Sequence, residues 1–374
     1  MTSEDCNKSE ISCLGLCENN AQSYDERMKK YLWITVLGAY SFVAIAGPFR
    51  IDITDYDGLS ATVIDALEAE IETEVNNELP NSDQGEFFGS MANASQMAGK
   101  DLAYDPVNPI KTMSVSLAAG AAIDLNKKNF NDIKDANGDI DYNQAPGVGV
   151  QGALSLGLRP FFLPESKFVK ERWDMFLHFF RYTYEKTDYD AKTGSMGFHG
   201  RYRLHAGKEL ARWGLLEWSP VYVGFGLQYN NLSGTYRKTF SESKESGGIT
   251  GTFNAVGTIK VDVTTYSFPL EISTGVRFLH FFHLYGGLGV DITTGEASGN
   301  ASLSNSSVTL TNGGSTATGT ASLDLGTSGK PELFTSRAMA GFQLHLWKLK
   351  IFVQGQKTFG RNLYSGQVGL RAVF

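Results

Sequence analysis

The sequence predicts an antiparallel β-barrel that crosses a membrane, preceded by a short helical segment. Three observations predict it. From Pro109 onward apolar residues alternate with small or polar ones in runs of about ten, the length a tilted strand needs to cross a bilayer. Strands of a soluble sandwich alternate too, but are usually about five or six residues long. Aromatic residues collect at the run ends (Phe161, Phe162, Trp173, Trp213, Trp218, Phe281, Phe282, Trp347), as interface girdles do. Finally, an export signal stands ahead of the runs, and all 3 cysteines precede it.

That signal begins at Met28, in "MKKYLWITVLGAYSFVAIAGPF". Lys29 and Lys30 form the basic end, 31–43 the apolar core, and Ala44-Ile45-Ala46 a cleavage site that leaves Gly47 first. The apolar stretch is shorter than the roughly 20 residues of a membrane helix. Residues 1–27 are polar, hold Cys6, Cys13 and Cys17, and read as an upstream extension, with Met28 the expected start. The C-x3-C spacing has no second pair or nearby His, so no metal site and no cofactor is expected. A formal net charge of −7 gives a nucleic-acid partner no electrostatic support.

Residues 47–108 form the acidic helical segment. Between 51 and 99 there is no Lys or Arg. Val63, Leu67, Ile71 and Val75 make one helical stripe, capped at Ser60 and stopped at Pro80. A second short helix is expected to hold Phe87, Phe88, Met91 and Met97. Two readings stay open: a solvated acidic face over a packed stripe, or a helix docked against something basic.

Residues 109–374 form the barrel. The expected strands are 111–125, 147–163, 173–187, 196–208, 219–239, 252–276, 280–296, 332–346, 349–360 and 363–374, about ten in all, with eight and twelve as alternatives. The third is ambiguous in phase: Phe176, His178 and Phe180 share one face, Met175, Leu177 and Phe179 the other. Short turns face the periplasm and long loops the outside, which places both termini in the periplasm. The strand pair 219–276 exceeds what a bilayer requires and projects outward, with "SESKESGG" at its tip.

Face assignment puts Arg159, His199, Arg201, Arg203, His205, Glu271, Arg277, Arg337, Lys350 and Arg371 inside the barrel, with Asp124 and Asp291. This interior is net basic. A barrel of about ten strands is only slightly wider than the eight-stranded kind that side chains fill, so an open porin is not expected. The acidic segment is therefore expected to plug the periplasmic mouth, with Glu68, Glu72, Phe87, Phe88 and Met91 as its contacts. The simpler reading is that lumen charges pair with each other. No enzyme is predicted: there is no G-x-S-x-G, and His199 is the only His placed near the outer rim. "DIKDANGDIDYN" spaces Asp135, Asn137, Asp139 and Asp141 like a calcium loop. Ile140 and Pro146 break that pattern, which leaves a polar hairpin tip.

The last strand, "YSGQVGLRAVF", resembles the C-terminal assembly signal of Gram-negative outer-membrane β-barrels, with alternating apolar residues and terminal Phe374. The resemblance implies the outer membrane of a diderm bacterium, lipid contact, and a barrel-assembly machinery as partner. The stretch "GSMANASQMAGKD" ahead of the first strand is similar to leptospiral surface-adhesin-type outer-membrane proteins, which implies surface exposure and an extracellular ligand. Two functions follow: a narrow, helix-plugged conduit for a small anionic solute, or a surface-exposed adhesin or structural barrel acting through its long loops.

Overall fold

The computed structural model describes residues 50–57, 69, 84–102, 104–126, 128–129, 146–160, 172–211, 215–246, 249–312 and 314–374. The elements are β1 (Arg50–Asp57), α1 (Gln84–Gly99), β2 (Met113–Asp124), β3 (Gly147–Leu158), β4 (Trp173–Glu185), β5 (Tyr189–His205), β6 (Lys208–Ala211) and β7 (Leu216–Trp218). Then come β8 (Val221–Ser246), β9 (Ile249–Phe278), β10 (Phe282–Asn312), β11 (Ser315–Ser322), β12 (Asp324–Gly329), β13 (Phe334–Leu346), β14 (Leu349–Thr358) and β15 (Leu363–Val373). Ten strands close a ring in the order β2-β3-β4-β5-β8-β9-β10-β13-β14-β15, with β15 returning to β2 and every pair antiparallel. This is a transmembrane β-barrel.

The alternation sets which residues meet lipid. In β2, Ser114 and Ser116 are buried inside while Val115 and Leu117 are exposed outside. Leu154, Leu177, Leu227, Leu270, Leu288, Val353 and Val368 continue this outer apolar belt. Strand β4 settles its ambiguous phase without a break in its register to β5: Asp174, Phe176 and His178 point inward, Leu177 and Phe179 outward. Pro269, which has no N–H to donate, interrupts the β8–β9 ladder between Phe225↔Leu270 and Gln228↔Ser267.

The two barrel ends differ. At one, tight turns join β9 to β10 and β13 to β14, with Leu279, His280 and Trp347 in left-handed backbone. The β6–β7 hairpin also lies at this end, attached to the end of β9. At the other, β8, β9 and β10 run on past the ring. The stretch of β10 after Ile292 adds on the order of 60 Å of strand at ~3.3 Å per residue. Gly295, at φ +138, sits where this extension leaves the ring, a conformation closed to residues with a Cβ. The extension has its own core of Ile53, Val308, Leu310, Ala317 and Ala321.

The 1–27 extension, the 28–46 export signal, the 60–79 helix with Glu68 and Glu72, most of the calcium-like loop, and the girdle residues Phe161, Phe162 and Trp213 fall partly or wholly outside the described residues. Phe374 lies at the tight-turn end, and β1 pairs with β11 at the opposite end, from Arg50↔Ser322 to Asp57↔Thr316.

Candidate functional site in the barrel lumen

The small inward residues leave the lumen wide enough for one helix of about 10–12 Å diameter. Helix α1 fills it. Ala92, Ala94, Ser95, Met97 and Ala98 are fully buried, so the helix is enclosed on every face. Its Ala- and Ser-rich sequence follows from this: longer side chains would not fit the wall. The wall answers with glycine, and a Cβ at Gly147 or Gly149 would overlap the backbone of Ser90 or Ala94. The last carbonyls of α1 have no partners within the helix. Glutamines of the wall supply them: Gln228 Nε2 donates to Gly99 O (2.5 Å), and Gln356 and Gln367 donate to Lys100 O.

Below α1 the chain turns at Asp101, in left-handed backbone, and runs down the lumen through two charge clusters. In the upper one, Arg337 holds three acids: Asp101 (Nη2 to Oδ1, 3.1 Å), Glu271 (3.0 Å) and Asp291 (2.9 Å). Lys100 Nζ reaches Asp291 as well, at 3.0 Å, and donates to Ser267. In the lower one, Asp105 receives Arg371 (2.7 Å) and Lys350 (3.4 Å), while its Oδ1 accepts the N–H groups of Val107 and Asn108. Arg201 pairs with Asp174 at 2.7 Å and donates to Asn108 O. Each of these cations is thus in contact with an acid. A cavity of about 10 Å³ beside Gly99, Asp101, Tyr104 and His199 has room for about one water molecule.

The predicted lumen residues divide. Arg201, Glu271, Arg337 and Lys350 come together around the 100–108 segment, with Arg371 beside them. His199 is also inside, stacked on Tyr104 with ring centroids 3.6 Å apart. It is not at the rim, because β5 begins at Tyr189 and so places His199 deeper. Four residues stand apart from the clusters. Arg277 pairs with Glu217 near the tight-turn end, His205 is exposed there against Trp218, and Arg159 and Arg203 are half-buried.

Of the predicted plug residues, Phe88 is buried against Gly299, and Phe87 and Met91 are half-buried. The helix nevertheless occupies the half of the barrel with the long strands, not the tight-turn mouth. Glu86 of its first turn accepts from Asn126, and Asn93 donates to Asp124 at the far end of β2 (3.1 Å). The acids of the segment ahead of the barrel that meet the lumen arginines are Asp101 and Asp105, which lie outside both the helical stripe and the strands. A side chain at Gly149 tests this packing. Gly149→Val is expected to displace α1 and give a planar-bilayer conductance that the unchanged protein lacks. A folded but silent variant would show that the helix tolerates the intrusion.

The chain is similar at low identity to solved outer-membrane proteins. One is the beta domain of the Bordetella autotransporter BrkA, at 11% identity and TM-score 0.33, covering 71% of this chain and 100% of that one. Another is the transport unit of the autotransporter AIDA-I from Escherichia coli, at 12% identity and TM-score 0.32, covering 76% and 98%. A third is Ail, the attachment invasion locus protein of Yersinia pestis, at 12% identity and TM-score 0.24, covering 71% and 100%. No curated protein matches the sequence. The family model described as Lsa36-like matches residues 54–374, and the chain belongs to that family of leptospiral surface-adhesin-type barrels.

Proposed function

We propose that this barrel works at the cell surface, binding extracellular molecules through the sheet that projects beyond its ring. The observation that carries the reading is the length of β8, β9 and β10, at 26, 30 and 31 residues, where about ten cross a bilayer. A conduit has no use for strands that continue past the membrane with a hydrophobic core of their own. A display platform does. The reading also accords with family membership.

The conduit reading has less support. Its expected attraction for anions rested on an excess of lumen cations, and Asp101 and Asp105 now stand against them. A solute would have to part buried ion pairs, and separating one such pair costs about 3–5 kcal/mol.

Adherence tests the proposal. Gram-negative cells expressing the protein are compared with cells whose protein carries two glycines in place of residues 296–329. The unchanged protein is expected to raise attachment to plates coated with extracellular-matrix protein, and the shortened one to lose that gain at equal barrel abundance. Equal attachment by the two would count against the projecting sheet as the binding surface.

A further inference from the structure

The segment ahead of the barrel can be followed through the lumen by its contacts. At the tight-turn end, the N–H groups of Thr112 and Met113 donate to Phe374 O at 3.2 and 3.3 Å. Asp105 lies above this, held by Arg371 and Lys350, and Lys100 higher still, beside Asp291. Asn93 then meets Asp124, the last residue of β2, and accepts from the N–H of Glu332 at 2.8 Å. Phe88 packs on Gly299, already in the extension. The chain therefore traverses the whole barrel between residues 84 and 112.

Strand β1 lies at the same end as the start of α1. Strand β1 pairs along β11, and Ile53 is buried with Val308, Leu310, Ala317 and Ala321. Barrels of this class turn their tight turns to the periplasm and their long strands outward. A periplasmic position for β1 would strip β11 of its edge partner and expose Ile53, and open strand edges invite pairing with other chains.

We propose that the barrel displays its own N-terminal segment on the cell surface. The cargo of the lumen is the chain itself: residues 84–112 are the thread, and β1 is the displayed strand that closes the free edge of β11. The region from residue 50 onward contains no cysteine, so no disulfide obstructs its passage through so narrow an interior. The inference shares its outward orientation with the surface-binding reading but requires no ligand.

Single cysteines test it in full-length protein carrying Ser at positions 6, 13 and 17. Thr54→Cys reports on β1, Thr316→Cys on β11, and Lys348→Cys on the β13–β14 turn; all three positions are exposed. Intact Gram-negative cells are treated with a membrane-impermeant maleimide, then again after outer-membrane permeabilisation. Thr54→Cys is expected to label in intact cells to the same extent as Thr316→Cys, and Lys348→Cys only after permeabilisation. If Thr316→Cys labels in intact cells but Thr54→Cys only after permeabilisation, display of the N-terminal segment is wrong and the outward extension stands. If Lys348→Cys alone labels in intact cells, both fall. Asp52 and Thr320 are register partners, so Asp52→Cys/Thr320→Cys is expected to form a disulfide under mild oxidation. A pair that stays reduced while the barrel is folded would overturn the β1–β11 pairing and the proposal with it.

Discussion

Arg337→Met is expected to destabilise the folded barrel by about 3–5 kcal/mol, the range for stripping one partner from a buried pair. Arg337 is fully buried and is the shared partner of Asp101, Glu271 and Asp291. The variant leaves three carboxylates close together, with Lys100 the cation still bonded to one of them. Methionine fills most of the volume, so the loss reports charge rather than a cavity. Urea unfolding of protein refolded into lipid vesicles, followed by tryptophan fluorescence, measures it. Adding Asp101→Asn to Arg337→Met removes one of the stranded charges. The double variant is therefore expected to be less destabilised than the sum of the two single variants. Strict additivity would mean that the two residues do not act as a pair.

Asp105→Ala is expected to cost a similar amount and, unlike Arg337→Met, to leave the lumen wall more attractive to anions once the helix is removed. It removes the acid that neutralises Arg371 and Lys350, and with it the carboxylate that receives the backbone N–H groups of Val107 and Asn108. That local turn fixes the path of the thread. Two buried cations are then left facing a loosened segment. Asp105→Asn separates the two effects, since the amide oxygen still accepts the turn's hydrogen bonds while the charge is gone. Introduced into a version that lacks residues 50–99 and so lacks the helix, Asp105→Asn and Asp105→Ala should both shift planar-bilayer conductance toward anions, and in the unshortened protein Asp105→Ala should show the larger loss in urea. Equal stability of the two variants would mean that the turn contributes nothing.

The strands and their faces were legible because period-two alternation has one physical solution when one side meets lipid. Leu117, Leu154 and Val368 had to face out, so Ser116, Ser155 and Gln367 had to face in. The same logic placed Arg201, Glu271, Arg337 and Lys350 inside. Alternation assigns a face but not a depth, so it sets Arg277, which pairs with Glu217 near the tight-turn end, in one group with residues nearer the middle of the lumen. His199 lies deeper than the sequence suggests for a related reason. Tyr189-Asp-Ala-Lys-Thr-Gly carries no apolar alternation, so the outer part of β5 left no signal.

The acids of the thread were the harder part. "KDLAYDPVNP" has neither helical nor strand period, so nothing marks where Asp101 and Asp105 point. A signal did exist. Asp105-Pro106-Val107-Asn108 is an Asx-turn pattern, and an excess of cations on a narrow wall requires acids from elsewhere. The longer acidic run upstream, which carries most of the segment's carboxylates, obscures them. The direction of the thread had no local signature, since the pairing of β1 with β11 joins residues more than two hundred positions apart.

Single-channel conductance in planar bilayers tests the central claim most directly: the lumen is closed by the chain's own residues 84–112, and work is done outside the membrane. The unchanged protein, shown to be folded, is predicted to give no stable open state, and a version lacking residues 50–99 is predicted to conduct. A steady, anion-selective conductance from the unchanged protein would contradict the account and return the barrel to the class of solute conduits.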